Sequence, residues 1–208
     1  DLLNTVTFLV EKPHIIVCEF DQKFLDVPDI VLIAEMKEHQ KYFAVIDKDG
    51  RLINKFLVTA NNPETPNIIK GNVKVISARF NDAEFFYRED ARVKLEDRIE
   101  SLKRVLFHKE LGSIYDKVMR VKSISEALVS LLSIDNETAR KIMRAVMLSK
   151  TDLDTAMVYE FASLQGYIGR IYALNEGEDK EVAEAINDQY KPRFSGDSIP
   201  TAMVSIVV

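Results

Sequence analysis

The sequence predicts an α+β protein in two parts, a mixed α/β part at residues 1–91 and an all-helical part at 92–208. Three observations carry this. β-branched and aromatic runs alternate with turn residues up to about residue 60. From about residue 67 the apolar period becomes helical. No strand signal follows residue 90, and the charged stretch "REDARVK", which lacks apolar periodicity, marks the boundary near Glu89 to Lys94.

In order, "VTFLV" and "HIIVCEF" read as strands separated by Lys12-Pro13. "PDIVLIAEMKEHQ" reads as a helix, with Asp26 as its cap and Pro28 in its first turn. "YFAVID" and "RLINKFLVTA" read as a hairpin around Lys48-Asp49-Gly50, where Gly50 supplies a positive φ. "NIIKGNVKVISARFNDAEFFYRED" is expected to form two helices, punctuated at Asn81 or Asp82. Leu95, Ile99, Leu102 and Leu106 follow i, i+4, i+7, i+11, one helical stripe, with Glu100 and Arg104 paired outside it. "DNETARKIMRAVMLSK" starts at Asp135 or Asn136, and "TDLDTAMVYEF" has Thr151 and Asp154 at capping-box spacing. "SLQGYIGRIYAL" and "DKEVAEAINDQY" complete the helices. At the end of the first helix, His39, Gln40 and Lys41 fit a helix C-terminus, where the dipole favours cations. They read as a structural junction.

The composition is that of a globular chain, 47% hydrophobic and 29% charged, with net charge −5. No global polybasic signal points to nucleic acid or membrane, and no stretch is long enough to cross a bilayer. The lone Cys18, inside "IIVCEF", excludes an internal disulfide and reads as a buried strand residue in a reducing, cytoplasmic setting. No Gly-rich phosphate loop is present. His14, His39 and His108 have no His or Cys partner at metal-ligand spacing. No catalytic residue, metal site or cofactor is expected. "DLLNTVTF" and "TAMVSIVV" read as cuts within a longer polypeptide.

Charge is unevenly placed. Residues 92–122 hold nine Lys/Arg against five Asp/Glu. Residues 140–150 hold Arg140, Lys141, Arg144 and Lys150 with no acid, and residues 175–188 hold six acids and one Lys. Either a basic face or an ordinary solvated surface produces such a pattern. Gly166 and Gly169, with Ala173, form a small-residue face inside a helix pattern, read as tight helix packing.

The runs "LEDRIESLKRVLFHKELGSIYDKVMRVKSI", "SKTDLDTAMVYEFASLQGYIGRIYA" and "INDQYKPRFSGDSIPTA" resemble the beta subunit of bacterial heterotetrameric glycyl-tRNA synthetase. So do "MKEHQKYFAVIDKDGRL" and "GNVKVISARFNDAEFFYRED". The resemblance covers roughly residues 5–208. It implies a share in ATP-dependent glycylation of tRNA, with the class II catalytic core, ATP and Mg2+ on an alpha subunit. The beta chain would supply recognition of glycine tRNA and hold an alpha2beta2 assembly. The first part would be similar to the editing-type module of the phenylalanyl enzyme's beta subunit. It is expected to be structural or RNA-binding, because a synthetic site for the smallest amino acid rejects larger ones by size. The second part would be a helical HD-type domain. Metal-binding members use a His, a His-Asp dyad and a later Asp; here His108 would stand first, and Lys150-Thr151-Asp152 replaces the dyad. A lysine ammonium repels a divalent cation, so the metal site reads as degenerate. The implied tRNA contacts are Arg140, Arg144, Lys150, Lys103, Arg104 and Lys41; for Lys150, a structural ion pair is the competing reading. A scaffold of this type without RNA contact is the alternative function.

Overall fold

The computed structural model describes residues 2–208, as a mixed α+β chain. It divides into two compact units, Asp1–Arg88 and Glu89–Val208.

The first unit holds α1 (Leu2–Thr7), β1 (His14–Glu19), α2 (Asp29–Ala34), β2 (Phe43–Ile46) and β3 (Leu52–Ala60). α3 (Pro66–Asp90) follows and ends two residues past the division. The sheet is antiparallel in the order β1-β3-β2, with His14 opposite Ala60, Glu19 opposite Lys55 and Phe43 opposite Leu57. Alternation along β1 sends Ile16 and Cys18 into the core and leaves Ile15 and Val17 exposed on the other face. The expected hairpin forms. Gly50 has φ +80°, and the Asp47 carboxylate accepts the N–H groups of Asp49 and Arg51, both at 2.9 Å.

Phe80 joins α3 to this core, its ring 5.0 Å from Phe20 and 5.4 Å from Phe24 in edge contacts. α3 is one helix, not the expected two. Ile76, Phe80 and Ala83 are all buried and keep the helical spacing across Asn81-Asp82, which stay exposed. Apolar burial therefore outweighs the capping preference of those two residues. Its start has the usual chemistry, Pro66 in the first turn and the Thr65 hydroxyl accepting from the Ile68 N–H at 3.3 Å.

Two further expectations fail in this unit. "VTFLV" lies partly in helix α1, where the Thr7 hydroxyl donates to the Leu3 carbonyl at 2.8 Å. Asp26 closes a short 3-10 turn, and Pro28 takes the cap position of α2. α2 continues as a π-helical turn, Glu35–His39. Met36 and Tyr42 are buried there; Tyr42 stacks on Phe56 and donates its hydroxyl to Asn72 Oδ1 at 2.6 Å. Lys41 makes the bend between them with φ 58°, and its Nζ donates to the Glu38 carbonyl at 2.7 Å.

The second unit contains a hairpin, β4 (Leu106–His108) and β5 (Gly112–Ser113), which corrects the expectation of no strand after residue 90. α4 (Ile114–Leu131), α5 (Asn136–Leu148), α6 (Ala156–Glu160), α7 (Tyr167–Asn175), α8 (Lys180–Asp188) and α9 (Met203–Val207) follow. α8 packs against α5, α7 and α9, and its Val182, Ala183, Ala185 and Ile186 are buried. Asp135, not Asn136, caps α5, accepting from Glu137 and Thr138 N–H.

The Leu95–Leu106 stripe forms no continuous helix. It breaks into 3-10 turns at Glu96–Arg98 and Glu100–Arg104, and Glu100 pairs with Lys103, not Arg104. The Glu176 carboxylate holds the Leu95 N–H at 2.9 Å, and Arg98 points inward, so distant partners set this path. Thr151–Asp154 is likewise a 3-10 turn; Thr155 caps α6, its hydroxyl accepting from Val158 N–H. α7 begins at Tyr167, with Gly166 just before it at φ +83°.

Candidate functional site

Three sets of side chains in the second unit gather charged or polar groups. The first is the hairpin face. The β4–β5 turn leaves Leu106 72% exposed, with Phe107 and Leu111 also exposed. Ser113 and Asp116 form a reciprocal capping box at the start of α4. The Asp116 carboxylate bonds the Ser113 N–H and hydroxyl, both at 2.7 Å, and these bonds hold its pKa down. Gly112, at φ +86°, leaves room for that carboxylate, which a Cβ would strike.

A cavity of about 480 Å³ opens here, lined by Lys103, Arg104, Leu106, Tyr115 and the Gly112–Ser113–Asp116 cap. The Lys103 ammonium stands 4.6 Å from the centre of the Tyr115 ring and is tied to Glu100 at 2.6 Å. Lys117 stands 4.4 Å from the centre of the Phe107 ring. Arg104 and Lys109 are exposed and make no ion pair among the described residues.

The second set is on α5. Arg140 and Arg144 border one groove with Lys141, Glu178 and Asp179. Arg144 is committed to Glu178, with its Nε 3.1 Å from both carboxylate oxygens, and to Glu96 at 3.1 Å. Lys141 pairs with Glu181 at 2.6 Å and Asp179 at 3.1 Å. These carboxylates push the Arg144 and Lys141 pKa values up. Two of the cations of α5 are thus matched by the acidic run at 175–188, while Arg140 is exposed without an ion pair among the described residues. Opposite charge runs of similar length are a signal of pairing that sequence reading passed over.

The third set surrounds Asp152. Its fully buried carboxylate accepts the Gly166 N–H through Oδ2 at 2.6 Å, while Oδ1 has no partner. Burial pushes its carboxyl up to about 6. Lys150 does not join Arg140 and Arg144. Its ammonium lies 3.8 Å from the centre of the Tyr190 ring, and it borders a separate cavity of about 140 Å³ with Lys117, Ser149 and Gln189. Burial first, then the charge of Lys117, bring its ammonium down to about 8. Arg193 completes the cluster, bonding the Gln165 carbonyl and Asn187 Oδ1, both at 3.0 Å, beside the Tyr167 ring. Gly166 and Gly169 give this cluster its room. A Cβ on Gly166 would lie 2.6 Å from the Tyr190 ring, and one on Gly169 2.9 Å from Ile186 and 3.0 Å from Asp152. Ala173 is buried on α7.

The family model described as "Glycyl-tRNA synthetase beta subunit" matches residues 1–208. The chain belongs to that family. It is 49% identical to the glycine–tRNA ligase beta subunit of Colwellia psychrerythraea, 47% to that of Marinobacter nauticus and 45% to that of Actinobacillus pleuropneumoniae. Each match takes in all of this chain but only 30% of the relative's length. No helix among the described residues is long and apolar enough to cross a membrane.

For this member of the glycyl-tRNA synthetase beta family, the positions that the resemblance named as a degenerate metal site lie in different surroundings. His108 is exposed on the hairpin and its Nδ1 accepts the Glu110 N–H at 3.2 Å, whereas Asp152 is fully buried. Among the described residues, no three His, Cys, Asp or Glu side chains are grouped to hold a metal. A lysine ammonium beside Asp152 further opposes a second cation.

Asp152 has a measurable consequence. Between pH 4 and 6 the folded chain keeps a proton that the unfolded chain has released. This residue therefore lowers stability as pH rises through that window, by on the order of 3 kcal/mol. Asp152→Asn retains an acceptor for Gly166 and removes the charge. Urea unfolding across pH 4–7 is expected to show the variant gaining on the parent as pH rises; parallel profiles would contradict the burial of a charge.

Proposed function

We propose that this chain is the part of a glycine–tRNA ligase beta subunit that meets tRNA through the hairpin face of its helical unit. The whole enzyme joins glycine to tRNA using ATP. An alpha subunit supplies the catalytic core with its ATP and Mg2+, in an alpha2beta2 assembly in the cytoplasm. The first unit plays the part of an editing-type module without hydrolysis, and the second that of an HD-type domain without metal. The chain itself supplies positive charge and shape, not catalysis.

The observation that carries this reading is the state of the cations around the hairpin. Arg104 and Lys109 are exposed without carboxylate partners among the described residues, and Lys117 rests on a ring. Phosphates bound by such groups release counterions, so affinity falls with salt. The commitments of Arg144 and Lys141 favour a scaffold role for the α5 face. In that reading Arg140 belongs to the same α5 groove, Lys41 stays a junction residue of the first unit, and Lys150 supports the Asp152 cluster.

The test uses the full-length enzyme with both subunits. Arg104→Glu combined with Lys109→Glu is expected to weaken tRNA binding about tenfold or more at 0.15 M salt. The slope of log affinity against log salt should become shallower by about 1–2, as for the loss of one or two phosphate contacts. Unchanged affinity and slope would leave only the scaffold reading.

A further inference from the structure

We infer that the cavity beneath the hairpin receives one unstacked nucleotide of the bound RNA, its base against Tyr115 and Leu106 and its phosphate on Lys103 and Arg104. The inference rests on reading this face as an RNA contact and goes further by naming what enters it.

The cavity combines features that a backbone-only contact does not need. Its volume, about 480 Å³, has room for a small-molecule-sized group, in a concavity open to solvent. It offers an aromatic ring, that of Tyr115, and an aliphatic side chain, Leu106, left 72% exposed by the hairpin. Exposed apolar area beside cations is the composition of single-strand binding grooves, where bases stack on rings and the backbone follows the charge. A paired base cannot enter a concavity without leaving its stack, so a duplex would meet only the rim.

The charges orient the guest. Asp116 lines the same cavity and is held deprotonated by its bonds to Ser113. A phosphate beside it would be repelled, while Lys103 and Arg104 attract one. The neutral base therefore takes the Tyr115 and Leu106 surface, and the phosphate takes Lys103 and Arg104 in place of the Lys103 contact with the ring. Lys103 would exchange its Glu100 pairing for the phosphate, both of those side chains being at least half exposed, unlike Lys141.

The experiment measures tRNA binding to the full-length two-subunit enzyme carrying Tyr115→Leu, Tyr115→Phe or Leu106→Gln. Tyr115→Leu is expected to weaken binding about tenfold with an unchanged salt slope, and Tyr115→Phe to keep parental affinity. Leu106→Gln, on an exposed side chain, should lose several-fold without affecting folding. Photo-crosslinking with 4-thiouridine-substituted tRNA should map to the Leu106–Tyr115 segment from an unpaired nucleotide. If Tyr115→Leu and Leu106→Gln bind like the parent while the Arg104/Lys109 reversal weakens binding, the nucleotide pocket is refuted and the phosphate contact stands. If none of these variants changes binding, both readings fail together.

Discussion

Replacing Asp90 with alanine is expected to cost the helical unit about 3–5 kcal/mol, the loss associated with breaking one side of a buried ion pair. The Asp90 carboxylate accepts the N–H groups of Ala156 and Met157 at 3.0 and 2.9 Å, at the first turn of α6. It also receives the Tyr172 hydroxyl at 3.3 Å and faces Arg98 Nη2 at 3.5 Å. Arg98, itself buried, donates to the carbonyls of Asp90 and Asp154. The alanine variant leaves the Arg98 guanidinium with only the more distant Asp154 carboxylate, at 3.9 Å, as a charge partner, and two N–H groups without acceptors. Asp90→Asn keeps an acceptor and should lose less. Adding Arg98→Met to Asp90→Ala should recover part of the loss, because the stranded charge is gone. Urea unfolding of the three variants measures this; a loss below about 1 kcal/mol for Asp90→Ala would show that the knot does not hold the unit together.

Gly166→Ala is the second large effect. Its backbone sits at φ +83°, where a Cβ is strained. That Cβ would also lie 2.6 Å from the Tyr190 ring and 2.9 Å from Arg193 Nη2. Tyr190 cannot simply swing away, because Lys150 and Arg193 face its ring and Gln165 donates to its hydroxyl. The Gly166 N–H also serves the buried Asp152 carboxylate. Summing backbone strain with displacement of a packed ring gives a loss of about 2–4 kcal/mol. Thermal unfolding of Gly166→Ala beside Gly177→Ala separates the two terms. Gly177 has nearly the same φ, +84°, but nothing within 4 Å of its added Cβ. Equal losses in the two variants would assign the whole effect to the backbone.

These two sites mark where sequence reading succeeds and where it stops. Period-2 alternation in "HIIVCE" and the Gly50 turn are local signals, and the β1-β3-β2 sheet follows them. The single α3 was also legible, since Ile76, Phe80 and Ala83 keep their spacing; weighting Asn81-Asp82 as punctuation obscured it. The Leu95–Leu106 segment was not legible. Its apolar spacing fits a helix, but Glu176 and Asp154 bind it from 81 and 56 residues away. The hairpin face shows the same limit. Lys103 and Arg104 stood out by charge, but a three-residue strand against a two-residue strand leaves too short a pattern to read. Tyr115 comes beside Lys103, and Lys117 beside Phe107, only because the chain turns back at residues 109–111.

The placement of Lys117 on the Phe107 ring bears on the speed of encounter. A lysine paired with a carboxylate presents a dipole, whose field dies away within a few ångströms. A lysine resting on a neutral ring keeps a whole unit of charge, and its field reaches out to the Debye length, about 8 Å in physiological salt. Lys117 therefore acts on a polyanion before contact, beside the unpaired Arg104 and Lys109. On α5, by comparison, Lys141 and Arg144 are matched by acids and only Arg140 is left unpaired among the described residues. On the proposed tRNA reading, this patch on an overall acidic chain would set which side the RNA approaches first, and the capture rate, more than the residence time, would depend on ionic strength.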